Sequence, residues 1–124
     1  MSKKEILTAI NHLMKGASDK KAENVCCYDL TEKNWITEYV IIIGAKNNIH
    51  CKALLEEIHK RSKTLTNKNK NEDFYEHPKE SGKVESGWVI LDLNSVICHF
   101  ITQECREHYG IDHIFKEKTN IILH

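Results

Sequence analysis

The most informative stretch of the sequence is Gly87-Trp88-Val89-Ile90-Leu91-Asp92-Leu93-Asn94-Ser95-Val96-Ile97-Cys98-His99-Phe100. Two runs of β-forming residues lie on either side of Asn94-Ser95, a pair that can form a tight turn. Because strand side chains alternate between faces, a hairpin closed at this turn places six apolar side chains on one face. These pairs are Leu93 with Val96, Leu91 with Cys98, and Val89 with Phe100. We predict that this face packs in the core.

The second face of the hairpin mixes apolar and polar side chains. It collects Trp88, Ile90, Asp92, Ile97, His99 and Ile101. This mixture is typical of a surface that a helix, a second subunit or a partner covers. Trp88 fits two interpretations equally well, an interface anchor or part of a second small core under a helix. A slip of one residue would bury Asp92 and His99, so the register is predicted to be well fixed.

Size and composition predict one soluble domain. The chain has 124 residues, and its 18 Lys and Arg balance its 18 Asp and Glu. A near-zero net charge argues against a nucleic-acid or membrane binder that works through charge alone. No apolar run approaches the roughly 20 residues that span a bilayer, and Met1–Glu5 lacks the features of a secretory signal. Five cysteines, an odd number, suggest buried free thiols in a reducing compartment, so we expect a cytoplasmic protein.

Hydrophobic periodicity predicts the remaining elements. They are a helix from Ile6 to about Gly16, strands at 25–30 and 36–43, a helix after Asn47-Asn48, a loop at 62–73, an edge strand at 74–77, a loop at 79–86, and a helix Gln103–Tyr109 between Thr102 and Gly110. The sequence therefore predicts a single α/β domain, residues 1–116, with a mixed five-stranded sheet and about three helices. Residues 117–124 are predicted to be a partly disordered tail.

A metal or nucleophile site built on cysteine and histidine is one alternative. Cys98, His99, Cys105 and His108 are residue types that Zn²⁺ prefers. However, neighbouring strand residues such as Cys98 and His99 point to opposite faces, and the sequence has no Cys-x2-Cys pair. We therefore predict no metal and no cofactor, and keep a Cys/His metal-binding protein as an alternative.

A nucleotidyl-transfer enzyme needs paired carboxylates to hold two magnesium ions. Asp92 has Ile90 and Asn94 two places away, and Asp29 likewise stands alone. These local patterns do not supply the pair, so no catalytic residue is predicted. The lysine-rich segment Lys60–Lys70 is either a solvated loop or a contact for RNA phosphates.

Five ordered blocks of the sequence form a pattern that extends beyond the hairpin. They are Lys20–Val25 with Tyr28-Asp29-Leu30, Ile36–Ile42, Gly87–Asp92, Val96–Phe100 and Glu104–Tyr109. In the order and spacing of these blocks, from about Ile6 to Phe115, the chain resembles the ribosomal silencing factor (RsfS) family, also called the Iojap family. The chain departs from the family at the hairpin turn, where Asn94-Ser95 replaces Gly-Asp, and at Asn47–His50, which lacks the usual arginine.

This resemblance implies a nucleotidyltransferase-like fold without the catalytic carboxylates. It implies binding to the large ribosomal subunit through ribosomal protein L-fourteen, which blocks association with the small subunit and represses translation. A homodimer is implied for the free protein. The expected partner-binding residues are Trp88, Ile90, Asp92, His99 and Tyr109. A nucleotidyltransferase-like enzyme remains the other alternative function.

Overall fold

The computed structural model describes residues 3–31, 37–68, 78–116 and 120–123. In chain order, the elements are α1 (Lys3–Asp19), β1 (Glu23–Asp29), β2 (Tyr39–Ala45), α2 (Asn48–Lys68), β3 (Lys79–Lys83), a 3-10 turn (Val84–Ser86), β4 (Trp88–Asp92), β5 (Val96–Thr102), α3 (Gln103–Tyr109), α4 (Ile111–Lys116) and β6 (Asn120–Leu123). No helix within these ranges has both the length and the apolar character needed to cross a bilayer.

The strands form one mixed sheet in the order β3-β4-β5-β2-β1-β6. The central pair, β2 with β5, is parallel, and the other neighbours are antiparallel. The predicted mixed α/β class is confirmed, although the sheet has six strands where the sequence predicts five. All seven residues of β2 are buried, as expected for an apolar run covered on both faces.

The hairpin β4–β5 has the register that the sequence predicts. Leu91 pairs with Cys98, and Val89 pairs with Phe100. The Leu93 amide donates to the Val96 carbonyl over 2.8 Å, which closes the turn. Asn94 takes a left-handed conformation with φ 72°, which asparagine tolerates better than most residues.

Two long helices, α1 and α2, cover one face of the sheet. The buried residues Leu91, Cys98 and Phe100 of the hairpin join their apolar stripes in the larger core. The prediction that α1 ends near Gly16 is wrong, because the helix continues to Asp19. Gly16 instead allows close packing, since a Cβ there would lie 2.5 Å from Cδ of Arg61 on α2.

The opposite face of the sheet carries a smaller core under α3 and α4. Its buried members include Tyr28, Ile42, Ile101 and Phe115, and Trp88 packs at its margin. The rings of Tyr28 and Phe115 stack with their centroids 5.3 Å apart. This core covers Ile101 on the second face of the hairpin, whereas Ile90, Asp92 and Ile97 on that face remain partly exposed.

An ion pair ties α3 and α4 to β1. Arg106, only 8% exposed, donates from Nε to Oδ2 of Asp112 over 2.7 Å and from Nη2 to Oδ1 over 2.9 Å. Its Nη1 donates to the Asn24 carbonyl at 2.8 Å, and the Tyr28 hydroxyl donates to Asp112 Oδ1 at 2.7 Å. The charges are thus paired and hydrogen-bonded, as buried charges must be.

Three segments differ from the sequence prediction. Residues 62–68, predicted as loop, continue α2, because Ser62 is fully buried and Leu65 packs against the larger core. Residues 79–83, also predicted as loop, form the edge strand β3, whereas the edge strand predicted at 74–77 lies outside the described residues. Residues 120–123 form β6 beside β1 instead of a disordered tail; the domain boundary after residue 116 stays a prediction.

Candidate interaction surface

Five residues predicted to bind a partner lie along one open strip of the molecule, which we call the Trp88 surface. Along β4, the half-buried Trp88, Ile90 and Asp92 alternate with two fully buried core residues. His99 on β5 pairs directly with Ile90, and Tyr109 ends α3. The structure therefore brings these side chains to one side of the sheet, while their role in binding stays a prediction.

Trp88 is the centre of the Trp88 surface. Its indole Nε1 donates to Nδ1 of His99 over 3.0 Å, and its ring centroid lies 5.1 Å from that of Tyr109. Tyr109 is 58% exposed, and it is one of three large hydrophobic side chains in the described ranges that are exposed. Trp88 packs against the smaller core and stays half-buried, so it contributes to a second core as one interpretation expects, whereas its role as an interface anchor stays a prediction.

His99 is held in its neutral form. Burial lowers its pKa from 6.5 to about 4. Since Nδ1 accepts the indole proton, the neutral ring carries its own proton on Nε2. No described residue accepts a hydrogen bond from Nε2, so this N–H is available to an acceptor on a partner.

Asp92 has a structural function as well as a place on the Trp88 surface. Its Oδ1 accepts from the Asn94 amide over 2.8 Å, which stabilises the hairpin turn. One carboxylate oxygen is therefore committed to the fold. A variant at Asp92 changes the turn and the Trp88 surface together, which makes it a poor probe of binding alone.

The start of β4 fixes the position of α3, and hence of Tyr109. The Thr102 hydroxyl caps α3 by accepting from the Cys105 amide, and the Thr102 amide donates to the Gly87 carbonyl at 2.9 Å. Gly87 has φ 84°, and a Cβ there would lie 3.0 Å from both Cys105 Sγ and Thr102 Oγ1. Only glycine accommodates both this conformation and this close approach.

Sequence reasoning missed the strand that borders the Trp88 surface. In β3, Lys83 pairs with Trp88, Ser81 with Ile90, and Lys79 with Asp92. Directly paired residues of antiparallel strands point to the same side of the sheet, so these three side chains extend the Trp88 surface. The sequence signal was weak, because every residue of β3 is exposed and no apolar alternation marks it.

The arrangement of carboxylates does not resemble a two-metal centre. Asp29 ends β1 and Asp92 ends β4, and the strands β2 and β5 lie between them. With strands about 4.8 Å apart, the two carboxylates stand roughly 14 Å from each other, against about 4 Å between paired metal ions. Within the described ranges, no three His, Cys, Asp or Glu side chains come together as a metal site, and Cys98 and His99 occupy opposite faces.

Comparison with known proteins agrees with this architecture. Residues 3–124 match the sequence model of a family described as "Ribosomal silencing factor during starvation". The chain belongs to the ribosomal silencing factor family. The protein named ribosomal silencing factor RsfS in Bacillus subtilis is 23% identical over 97 residues, covering 78% of this chain and 75% of that protein. The RsfS of Halalkalibacterium halodurans is 23% identical over 124 residues, covering 99% of this chain and 96% of that protein.

Solved structures share the fold of this ribosomal silencing factor family member. A crystal structure from Chromobacterium violaceum has a TM-score of 0.76 at 18% identity, covering 90% of this chain and 86% of that one. One from Bacillus halodurans has a TM-score of 0.70 at 17% identity, covering 95% of this chain and 99% of that one. The family match and the named relatives thus confirm the predicted resemblance to this family, and the solved structures confirm the mixed α/β fold.

Proposed function

We propose that this protein binds the large ribosomal subunit through the Trp88 surface and keeps the small subunit from joining it. The immediate partner on this proposal is ribosomal protein L-fourteen, as the family resemblance implies. The mechanism is occupancy, because a bound domain fills volume that the small subunit must enter, and it needs no chemical step. The protein then acts in the cytoplasm as a repressor of translation, not as an enzyme.

The observation that carries this proposal is the half-open aromatic cluster of Trp88, His99 and Tyr109. Partly exposed aromatic residues held rigidly in place are typical anchors of protein interfaces. The indole is oriented by its hydrogen bond to His99, so little side-chain freedom is lost when a partner covers it. The Nε2–H of His99, which no described residue accepts, adds a polar contact that fixes the orientation of the partner.

The opposite face of the sheet is a weaker candidate for binding. The helices α1 and α2 already cover it, and the lysine-rich segment begins on α2 at Lys60. Lys60 to Lys68 is helical, and residues 69 and 70 lie outside the described residues. The segment predicted as a loop is thus helical as far as Lys68, and an RNA contact by its lysines stays a prediction.

Sedimentation with purified large subunits tests the binding site. Trp88→Ala should weaken binding by about 1–3 kcal/mol, roughly 5- to 150-fold, because it removes the central anchor. Tyr109→Ala is a second probe, since a residue 58% exposed contributes less to the fold. Leu7→Ala is the matched control, because Leu7 is a half-buried apolar residue of α1, which packs on the opposite face of the sheet. Wild-type affinity in both folded surface variants would remove the Trp88 surface from the proposal.

Light scattering during subunit joining tests the mechanism. The wild-type protein, added at saturation to large subunits, should prevent the rise in scattering that accompanies association with small subunits. The Trp88→Ala variant should need a correspondingly higher concentration to prevent subunit joining to the same extent. Joining that proceeds as freely with saturating protein as without it would contradict steric exclusion.

Sedimentation equilibrium of the free protein tests the homodimer that the resemblance implies.

A further inference from the structure

The edge strand β3 gives the Trp88 surface a positively charged border. Lys79, Ser81 and Lys83 pair with Asp92, Ile90 and Trp88, and all three are exposed. The two lysines are four residues apart on one strand, which separates their Cα atoms by about 13 Å. Any partner that covers Trp88 therefore meets two ammonium groups along one side of its contact.

The alternation of β3 separates its charges between the two faces of the sheet. Glu80 points to the helix side, where its Oε2 lies 2.9 Å from Nδ1 of His59 on α2. Lys79 and Lys83 point to the other side, and neither forms an ion pair with a residue that the structure describes. On this face, β3 and β4 together carry two positive side chains, Lys79 and Lys83, and one negative side chain, Asp92, which leaves a net charge of one positive unit.

The strand β3 at this border is suited to contact a partner through its side chains and not by backbone pairing with a strand of that partner. Gly82 has φ 87°, and three of the other four residues of this exposed edge strand are charged. Charge and irregular backbone are the features by which edge strands avoid pairing with other chains. Long, mobile lysine stems instead allow an ammonium group to reach an anion beyond the sheet edge.

We propose that Lys79 and Lys83 bind backbone phosphates of ribosomal RNA beside the protein that the Trp88 surface contacts. This inference rests on the proposed binding to the large subunit, whose surface exposes RNA phosphates next to its proteins. An ammonium group recognises a phosphate as a point charge and needs no planar, bidentate geometry. The serine hydroxyl of Ser81 between the two lysines supplies a further donor of the kind that contacts phosphate oxygens.

The salt dependence of binding tests this contact. Each phosphate neutralised contributes about 0.7–0.9 to the slope of log affinity against log salt. A Lys79→Gln, Lys83→Gln double variant should therefore bind large subunits with a slope reduced by about 1–2. The control is a Lys15→Gln, Lys52→Gln double variant, because both lysines are exposed on helices of the opposite layer. A slope equal to that of the wild type in the β3 variant would overturn the inference.

Hydroxyl-radical footprinting of the bound large subunit identifies the anion. The wild-type protein should protect a short run of RNA backbone, and the β3 double variant should lose that protection at saturating concentration. If the slope falls but no protection depends on the lysines, the anion is an acidic protein surface and the RNA assignment is wrong. If the wild type does not bind subunits at all, the proposed function fails first, which distinguishes the two failures.

Discussion

Replacement of Asp112 by asparagine should remove one defined component of the acid sensitivity of this fold. Hydrogen bonds from the Arg106 guanidinium, together with that from Tyr28, lower the pKa of Asp112 from 3.8 to about 2. The Asp112 side chain is 25% exposed, so solvent screens this interaction only in part. Each unit of pKa difference between the folded and unfolded states corresponds to about 1.4 kcal/mol of stability. The carboxylate therefore contributes about 2 kcal/mol that depends on its ionisation.

The direction of the pH effect follows from the lowered pKa. A carboxyl group that is more acidic in the folded state stabilises the fold fully above its unfolded pKa, close to 4. This contribution is lost as the pH falls through about 2. The Asp112→Asn variant lacks it at every pH. It should be destabilised most near neutrality, by about 3–5 kcal/mol, because the buried guanidinium loses its counter-charge.

Urea unfolding of the wild type and variant at a series of pH values measures the effect. The difference in unfolding free energy should shrink by about 2 kcal/mol between about pH 6 and about pH 2. Other groups that titrate in this range, such as His99, are present in both proteins, so their contributions to the unfolding free energy cancel in the difference. Asp19→Asn is the control, because Asp19 is 54% exposed in its pair with Arg61, and its difference should stay within about 1 kcal/mol. If the unfolding free energies of the wild type and Asp112→Asn change in parallel with pH, the reasoning is refuted.

Three further predictions concern single residues. Thr102→Ala removes the cap of α3 and should cost about 1 kcal/mol in urea unfolding, whereas Thr102→Ser should restore most of it. Nitrogen NMR should find His99 neutral and protonated on Nε2 down to about pH 4; protonation near pH 6.5 would contradict its burial against Trp88. A thiol reagent should label Cys105 in the folded protein, but Cys98 and the other buried cysteines only after unfolding. Rapid labelling of Cys98 would contradict the packing of β5.

Local patterns were sufficient to predict the hairpin and the last helix. The register of Leu91 with Cys98 follows from strict alternation, and the bounds Gln103–Tyr109 follow from a threonine cap and a closing glycine. These signals lie within a few residues of what they determine. The face that carries Trp88 could therefore be assigned before the sheet order was known.

Elements stabilised by distant contacts could not be predicted in the same way. The edge strand β3 has no apolar face, and only its pairing with β4 makes it a strand. The last turns of α2 look polar in sequence, and the burial of Ser62 and the partial burial of Leu65 depend on where the sheet lies. The charged border of the Trp88 surface was missed for this reason, because only the pairing of β3 with β4 places Lys79 and Lys83 beside that surface.

The place of β6 has a practical consequence for anyone who shortens this chain. The final strand pairs with Cys26, Cys27, Tyr28 and Asp29, and so shields the outer backbone of β1. A version ending at Lys116 would leave those amides and carbonyls as a template for strands from other molecules. Trimming such an extension is a common way to help crystals grow, but here it would invite self-association unrelated to any natural oligomer.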